Sequence, residues 1–336
     1  MWNDSKNFVL AWTGVGILSL APYQAVHAQL RQVTIGTNPA GTHSYVVAGA
    51  VAKLVQDERG VRSIIRPFSG SSVYMPLLHR GEITLGMNTN IDSYLAYAGL
   101  EPYSARLTNV RLLARAFPLY MMYMVRGDSD LHRVEDLRGQ RVVVRIRANA
   151  ALEFLFRAIL ATGGLGGDDV DEITVGGLAD GARLLTEGRV DAVSIGVDTA
   201  LTLQAHATIN GGVRYLTMGQ DESRLSELMP GSKVSPAPQG PITAGLDDNV
   251  PRVSEISHYI NTGAHLAEEE AYLLAKTIHE HWQTLRENYA SLTDVPPEGL
   301  APADSPIPYH AGAIRYYKEA GLWTEAHEEN QAFLLE

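Results

Sequence analysis

Short apolar segments alternate with amphipathic segments from residue 32 onward. The first series contains three strand-like segments, each followed by a loop and a helical pattern: QVTIGT, RSIIRPF and ITLGMN. Successive strand–loop–helix units predict a mostly parallel sheet with helices on its faces. In such sheets ligands bind beyond the carboxyl ends of the strands, where these loops lie.

A second series of the same kind follows near residue 110. RVVVRI and VDAVSIG indicate strands, and AALEFLFRAILATGG indicates a helix. The segment MPGSKVSPAPQGPITAG shows neither a helical nor a strand periodicity, because prolines and glycines interrupt it. This composition favours a loop or a crossing segment. Two similar α/β series predict two lobes facing each other across a cleft, a common place for ligand sites.

The last part of the chain predicts helices. EEEAYLLAKTIHEHWQTLRENY has one apolar stripe and reads as a single long amphipathic helix with an acidic start. HAGAIRYYKEAGLW is predicted to be the last regular element.

The composition excludes several classes of function. The chain has 336 residues and a formal charge of −11, from 27 basic and 38 acidic residues, which argues against a nucleic-acid partner. It has no cysteine, so disulfides, thiolate metal sites and cysteine nucleophiles are excluded. This composition is typical of a globular protein and suits an oxidising compartment.

Residues 1–28 have the pattern of a secretory signal. Lys6 precedes the apolar run FVLAWTGVGILSLA, and Val26 and Ala28 occupy the positions expected before a cleavage site. The run is short for a membrane span, which needs about 20 apolar residues. We therefore predict an exported protein cleaved after Ala28, with an uncleaved N-terminal anchor as the alternative.

Two loops that follow strands have the composition of anion-binding sites. GTNPAGTHSY and SGSSVY place hydroxyl groups and free backbone amides at helix starts, where the helix dipole favours a carboxylate or phosphate. The alternative is an ordinary strand-to-helix turn. The candidate ligand-binding residues in these loops are Asn38, Thr42, His43, Tyr45, Ser71 and Ser72.

Four further candidates are polar residues at strand ends, and a fifth lies close by. Asn88 and Asn90 follow the third strand and could contact a ligand or cap the next helix. Arg145 and Arg147 end an apolar strand, and a guanidinium suits two-pronged binding of a carboxylate. The alternative for the arginines is a structural salt bridge to an acid such as Asp198. As helix N-cap, Asn149 would add backbone donors at the same end.

The sequence contains no convincing catalytic or metal-binding pattern. Its eleven histidines show no metal-ligand spacing, and HExxH and GxSxG motifs are absent. We therefore expect no enzyme activity, no cofactor and no metal ion.

Several segments resemble one known family over residues 32–323. VTIGTNPAGTHSYVVAGAVAKLV, SGSSVYMPLLHRGEITLGMNTN and, most specifically, PIPYHAGAIRYYKEAGLW are similar to the TAXI family, the solute receptors of TRAP-type transporters. The resemblance implies a two-lobed type II periplasmic-binding-protein fold with crossing strands. Lobe I would comprise residues 29–116 plus 241–336, and lobe II residues 117–240.

The same resemblance implies a function. The protein would be a periplasmic receptor that delivers a small organic anion to TRAP-type permease subunits. The two arginines and the two amide-rich loops favour a dicarboxylate or an acidic amino acid as that anion, and we expect a monomer. The chain departs from the family at GTHSY and at RIRANAALE, where a glycine-rich loop is usual. Two alternatives stay open: a subunit that presents its ligand to a membrane sensor, and an enzyme built on a binding-protein fold.

Overall fold

The computed structural model describes residues 30–238, 244–246 and 252–336. The predicted signal sequence lies outside these residues, as does much of the segment between residues 238 and 252. Within the described ranges no helix is both long and apolar enough to cross a bilayer.

The described strands form one ten-stranded sheet. Their bounds are β1 Gln32–Thr37, β2 Arg62–Pro67, β3 Leu85–Thr89, β4 Val110–Arg126, β5 Arg141–Ile146, β6 Asp171–Val175, β7 Ala192–Gly196, β8 Val213–Tyr215, β9 Ser232–Pro236 and β10 Arg252–Gly263. The strand order is β2-β1-β3-β10-β4-β7-β5-β6, with β8 against β4 and β9 against β10.

Helices cover the faces of this sheet. Their bounds are α1 His43–Arg59, α2 Ser71–Arg80, α3 Asn90–Ala98, α4 Ala151–Thr162, α5 Leu178–Thr186, α6 Ala200–Thr208, α7 Ser223–Leu228, α8 Glu268–Glu280, α9 Trp282–Asn288, α10 Ala311–Glu319 and α11 Glu325–Leu335. Short 3-10 turns occur at Val134–Leu137, Arg147–Asn149, Gly167–Asp169, Ala290–Leu292 and Pro297–Leu300.

The sheet has two parallel groups separated by two crossing strands. β1 is parallel to β2 and β3, and β5 is parallel to β6 and β7. β10 runs antiparallel to β3 and β4, and β4 runs antiparallel to β7. We call β1–β3 with α1–α3 the first half, and β5–β7 with α4–α6 the second half. This is the predicted two-lobed α/β architecture, with β4 and β10 crossing between the halves.

The crossing strands are irregular where they pass each other. The β4–β10 register shifts between His258 and Tyr259, so that His258 faces Phe117 while Tyr259 faces Arg115. A bulge of this kind inserts one extra residue and re-aims the neighbouring side chains. Phe117 and His258 are the last cross-strand pair before this shift, in the register that begins at Ser254 and Met121.

The core is continuous through both halves because each helix buries an apolar face on the sheet. Helix α1 buries Val47, Val51 and Val55, and α4 buries Leu155 and Ile159. Burial of side chains of this size stabilises the fold by about 1.5–3 kcal/mol each.

The C-terminal helices differ from the prediction in two ways. The predicted long helix is two helices, because it breaks at His281, whose Nδ1 lies 3.0 Å from the carbonyl oxygen of Thr277. The predicted last element is followed by α11, whose sequence EAHEENQAFLL is too polar to give a clear apolar period. Helix α11 is anchored instead through buried His327, whose Nε2 lies 2.9 Å from the carbonyl oxygen of Ala301.

Candidate functional site

A cavity lies between the two halves, at the carboxyl ends of β1, β3 and β7. Its empty volume, including the open solvent at its mouth, is about 510 Å³. It is lined by Asn38, Thr42, His43, Ser44, Thr89, Asp92, Phe117, Leu119, Met121, Asn149, Leu152, Leu178, Ile195, Gly196, Thr199, Leu201 and His258. Both halves and both crossing strands therefore contribute to one site.

Three helices begin at the cavity wall. Thr42, Thr89 and Thr199 are the N-cap residues of α1, α3 and α6, and their hydroxyl oxygens accept hydrogen bonds from the backbone in the first turn. Threonine suits this position because its oxygen satisfies an amide that has no partner within the helix. The positive ends of three helix dipoles therefore face the cavity.

His43 joins the two halves at one side of the cavity. Its Nε2 lies 2.8 Å from Oδ1 of Asp198 and 3.4 Å from the carbonyl oxygen of Val197. Burial alone would lower the pKa of His43, but the hydrogen bond and charge of Asp198 outweigh it and raise the pKa. Asp198 has φ 62, a left-handed conformation that aspartate adopts more readily than most residues.

Two rings of the crossing strands stack beside the cavity, and the ring of His43 lies tilted against them. The rings of Phe117 and His258 are parallel within 9° at a centroid distance of 4.5 Å, and the His43 ring lies 5.9 Å from Phe117. Burial, together with the charge of His43, lowers the pKa of His258 to about 3. His258 is therefore neutral near pH 7, and its Nδ1 has no hydrogen-bond partner in the described part of the chain.

Asp92 is a buried carboxylate in the cavity wall. Its Oδ1 accepts a hydrogen bond from Ser71 Oγ at 2.8 Å, and its Oδ2 accepts from Thr89 Oγ1 at 2.8 Å and from the Thr89 amide at 3.3 Å. Burial raises its pKa, while these hydrogen bonds act in the opposite direction. The network continues across the halves, because Asn149 Nδ2 donates to Ser71 Oγ at 3.2 Å.

Further contacts hold the halves together around this network. Asn149 Nδ2 also donates to Asn38 Oδ1 at 3.3 Å, and the Ala150 amide donates to Ser72 Oγ at 3.1 Å. Away from the cavity lining, Asn90 Nδ2 donates to the carbonyl oxygen of Gly231, which lies between α7 and β9, at 2.9 Å. The halves therefore meet directly along one side of the cavity.

The structure brings most of the predicted site residues to this region. Asn38, Thr42, His43 and Asn149 line the cavity. Ser71, Ser72 and Asn90 form the hydrogen bonds just described, while Tyr45 and Asn88 lie outside the lining. No measured contact assigns a ligand to any of them, so their ligand-binding role stays a prediction.

Two helix caps differ from those considered for the sequence. The N-cap of α3 is Thr89 rather than Asn88 or Asn90, because a threonine–aspartate capping box forms with Asp92. The N-cap of α4 is Ala150, because Asn149 ends the preceding 3-10 turn. Because Asn149 does not cap α4, its side chain forms hydrogen bonds with the first half instead.

The two arginines that end β5 lie outside the cavity lining. Arg145 Nε is 2.9 Å from Glu153 Oε1, and its Nη2 is 3.9 Å from Glu172. This is the structural salt bridge considered above, although with local acids rather than with Asp198. Arg147 is exposed and forms no ion pair with any residue in the described ranges.

The sequence interpretation missed Thr89, Asp92, Phe117, Thr199 and His258. The Thr89–Asp92 pair had a local signal, because [ST]-x-x-[DE] before an apolar segment marks a capping box. The pairing of Phe117 with His258 had no local signal, since 140 residues separate them and only the antiparallel pairing of β4 with β10 brings them together. Among the described residues, no group of histidine and acidic side chains could hold a metal ion.

Comparison with solved structures identifies the class of the fold. The alkanesulfonate-binding protein SsuA from Xanthomonas axonopodis pv. citri, bound to MOPS, matches with a TM-score of 0.50 at 16% identity, over 90% of this chain and 94% of that chain. This likeness, with the strand order and the cavity between the halves, gives the protein a two-lobed type II periplasmic-binding-protein fold. Residues 35–321 match the NMT1-like family, and the chain belongs to that family.

Two further structures are similar over most of the chain. SsuA from Escherichia coli has a TM-score of 0.46 at 16% identity, over 90% of this chain and 78% of that one. The amino acid ABC transporter substrate-binding protein AbpA from Streptococcus pneumoniae, bound to L-arginine, has a TM-score of 0.49 at 13% identity, over 79% of this chain and 94% of that chain.

Proposed function

We propose that this protein is a periplasmic solute receptor that binds a small organic solute in the cavity between its halves. The observation that carries the proposal is the composition of the cavity wall, which draws residues from the first half, the second half and both crossing strands. A solute there would touch both halves at once. It would stabilise the closed arrangement relative to an open one and so act by population shift.

The proposed lobes follow from the same arrangement. Lobe I would comprise residues 29–116 plus 241–336, and lobe II residues 117–240. The position of β4 supports this division, because its first part pairs with β10 and its last part, from Met121 to Val125, pairs with β7. The chain would thus pass from one lobe to the other within β4.

We further propose that the receptor serves a TRAP-type permease as a member of the TAXI family. The support is the resemblance over residues 32–323, above all in PIPYHAGAIRYYKEAGLW. This segment is part of the scaffold, since Tyr317 is fully buried and its hydroxyl donates to the carbonyl oxygen of Leu113 at 2.9 Å. A subunit that presents its ligand to a membrane sensor is the second candidate, and the neighbouring genes would separate the two.

The site would accept one acidic group on the solute. His43 and the three helix starts at Thr42, Thr89 and Thr199 supply positive potential there. The predicted anion site combined two amide-rich loops with Arg145 and Arg147, and neither arginine lines the cavity. The support for a dicarboxylate is correspondingly weaker than the sequence suggested.

A thermal-shift screen of the purified protein tests the receptor proposal. The panel would contain amino acids, monocarboxylates, dicarboxylates, sulfonates and sugars. We expect at least one compound to raise the unfolding midpoint, to bind with 1:1 stoichiometry by calorimetry and to be recovered unchanged. A panel in which no compound shifts the midpoint would refute the proposal, and chemical turnover of a binder would support the enzyme alternative instead.

A pair of histidine variants shows where such a compound binds. His43→Ala removes a residue from the cavity wall and should weaken binding. His281→Ala removes a histidine that lies outside the lining and faces Glu58 at 3.4 Å, so binding should be unchanged. Equal effects of the two variants would place the solute elsewhere.

A further inference from the structure

The cavity has an unusual charge balance for a site expected to hold a dicarboxylate. No lysine or arginine occurs among its described lining residues. Its basic side chains are His43, which is already paired with Asp198, and His258, which is buried and stacked on Phe117. The Asp92 carboxylate, in contrast, lies in the wall without an ion pair to any described residue.

Both carboxylate oxygens of Asp92 act as hydrogen-bond acceptors. Both oxygens accept, from Ser71 and from Thr89, and none of these three bonds requires a proton on the carboxyl group. Asp92 is 2% exposed, so water screens its charge poorly. Asp92 lies in the first turn of α3, whose N-terminus also stabilises its charge. No cationic side chain among the described residues pairs with it, so this carboxylate favours a positive charge or an N–H donor brought in by a ligand.

A second negative charge in this space would be strongly disfavoured. Two like charges about 6 Å apart, at an effective dielectric constant of about 20, repel by an amount equivalent to roughly 100-fold in affinity. The first acidic group of a solute can lie toward the helix starts, but a second has no free cation to meet. An ammonium group in its place would be attracted to Asp92 by a comparable amount.

We propose that the cavity selects zwitterionic solutes, with one acidic group and one ammonium or other N–H donor directed at Asp92, and rejects dicarboxylates. This inference rests on the proposed receptor function and specifies the solute of that same site. The unpaired Nδ1 of His258, which also lines the cavity, adds a second neutral polar partner. The leucine, isoleucine and methionine side chains of the lining would cover the carbon chain between the two groups.

The test compares solutes that differ in one terminal group. ω-Amino acids of three to six carbons, such as 5-aminopentanoate, would be titrated against dicarboxylates of the same length, such as glutarate, with α-amino acids alongside. We expect the binders to be zwitterions and the matched dicarboxylate to bind roughly 100-fold more weakly. A dicarboxylate that binds as tightly as its amino-acid partner would overturn the charge preference and leave the receptor function standing.

A panel in which neither class binds, together with an unresponsive wider screen, would instead remove the receptor function and the charge preference with it. The two failures are therefore distinguishable.

Substitution of Asp92 gives an independent measurement. Asp92→Asn keeps the size of the side chain and removes its charge, so the ratio of amino-acid to dicarboxylate affinity should fall at least tenfold. Asp168→Asn, at an exposed position outside the lining, should leave the ratio unchanged. An unchanged affinity ratio in a folded Asp92→Asn protein would overturn the role of Asp92. If that variant does not fold, the comparison of amino acids with dicarboxylates on the wild-type protein decides the charge preference.

Discussion

The contact between Gly70 and the second half provides a direct test of closure. Gly70 precedes α2 and has φ 172, an extended conformation that any residue adopts. A Cβ at this position would overlap the carbonyl oxygen of Ala148 and Oδ1 of Asn149, well inside the 3.0 Å that Cβ atoms essentially never cross. Gly70→Ala should therefore leave the first half intact and keep the halves from meeting as they do here.

The cost can be worked out from the bonds around that contact. Opening the halves near Gly70 would break the hydrogen bonds from Asn149 to Ser71 and Asn38, and the one from the Ala150 amide to Ser72. Each is worth roughly 1 kcal/mol net, or about 3 kcal/mol together. The closed form would be disfavoured by roughly 150-fold, and solute affinity should fall by a similar factor.

Small-angle X-ray scattering and calorimetry provide the assays. The radius of gyration of Gly70→Ala should exceed that of the wild type, and the compound giving the largest thermal shift should bind more weakly. Gly177→Ala is the matched control, because its added Cβ would lie 3.5 Å from the carbonyl oxygen of Ser69, an ordinary contact with the same loop. Wild-type scattering and affinity in Gly70→Ala would refute the reasoning.

Three further predictions concern stability. Trp282→Phe should lower the free energy of unfolding in urea by about 1–3 kcal/mol, because Trp282 is fully buried and its Nε1 donates to the carbonyl oxygen of Val295 at 2.8 Å. The pKa of His43 is raised in the fold, so its pairing with Asp198 stabilises fully below pH about 6.5 and is lost as the pH rises through the folded pKa. Asp198→Asn should abolish that pH dependence in chemical denaturation, and an unaltered profile would contradict the assignment. The pKa of His258 is lowered to about 3, so its contribution is present above pH about 6.5 and declines as the pH falls toward 3. His258→Phe should reduce this loss of stability at acid pH. A loss as steep as in the wild type would show that other groups cause it.

Local patterns were sufficient for much of the fold and for part of the site. The alternation of apolar segments with helical periods predicted the parallel groups, and the loop after β1 drew attention to Asn38, Thr42 and His43, which line the cavity. These predictions depend on neighbours in sequence, since a loop at the end of a parallel strand lies at the ligand-binding edge of the sheet whichever strand is next to it. Helix α11 was not predicted, because a mostly polar helix shows little apolar periodicity.

The sequence did not predict the partners of Arg145 and Asp198. Arg145 looked like a ligand contact because its strand ends at the cleft, but Glu153 and Glu172 lie within reach of its guanidinium. Asp198 appeared as a partner for an arginine and instead pairs with His43 of the opposite half. Residues distant in sequence have no pattern in common from which such pairings could be derived.

The sequence by itself determined the two α/β series, the helix starts and the polar loops of the first half, because strand alternation, capping and turn chemistry act over a few residues. Only the tertiary structure decided that Phe117 and His258 face each other, that Asp92 lies in the cavity wall without a cation, and that Asn149 bridges the halves. These features depend on strand order, on the register between β4 and β10 and on how closely the halves approach. All three are set by packing over the whole molecule rather than by any local segment.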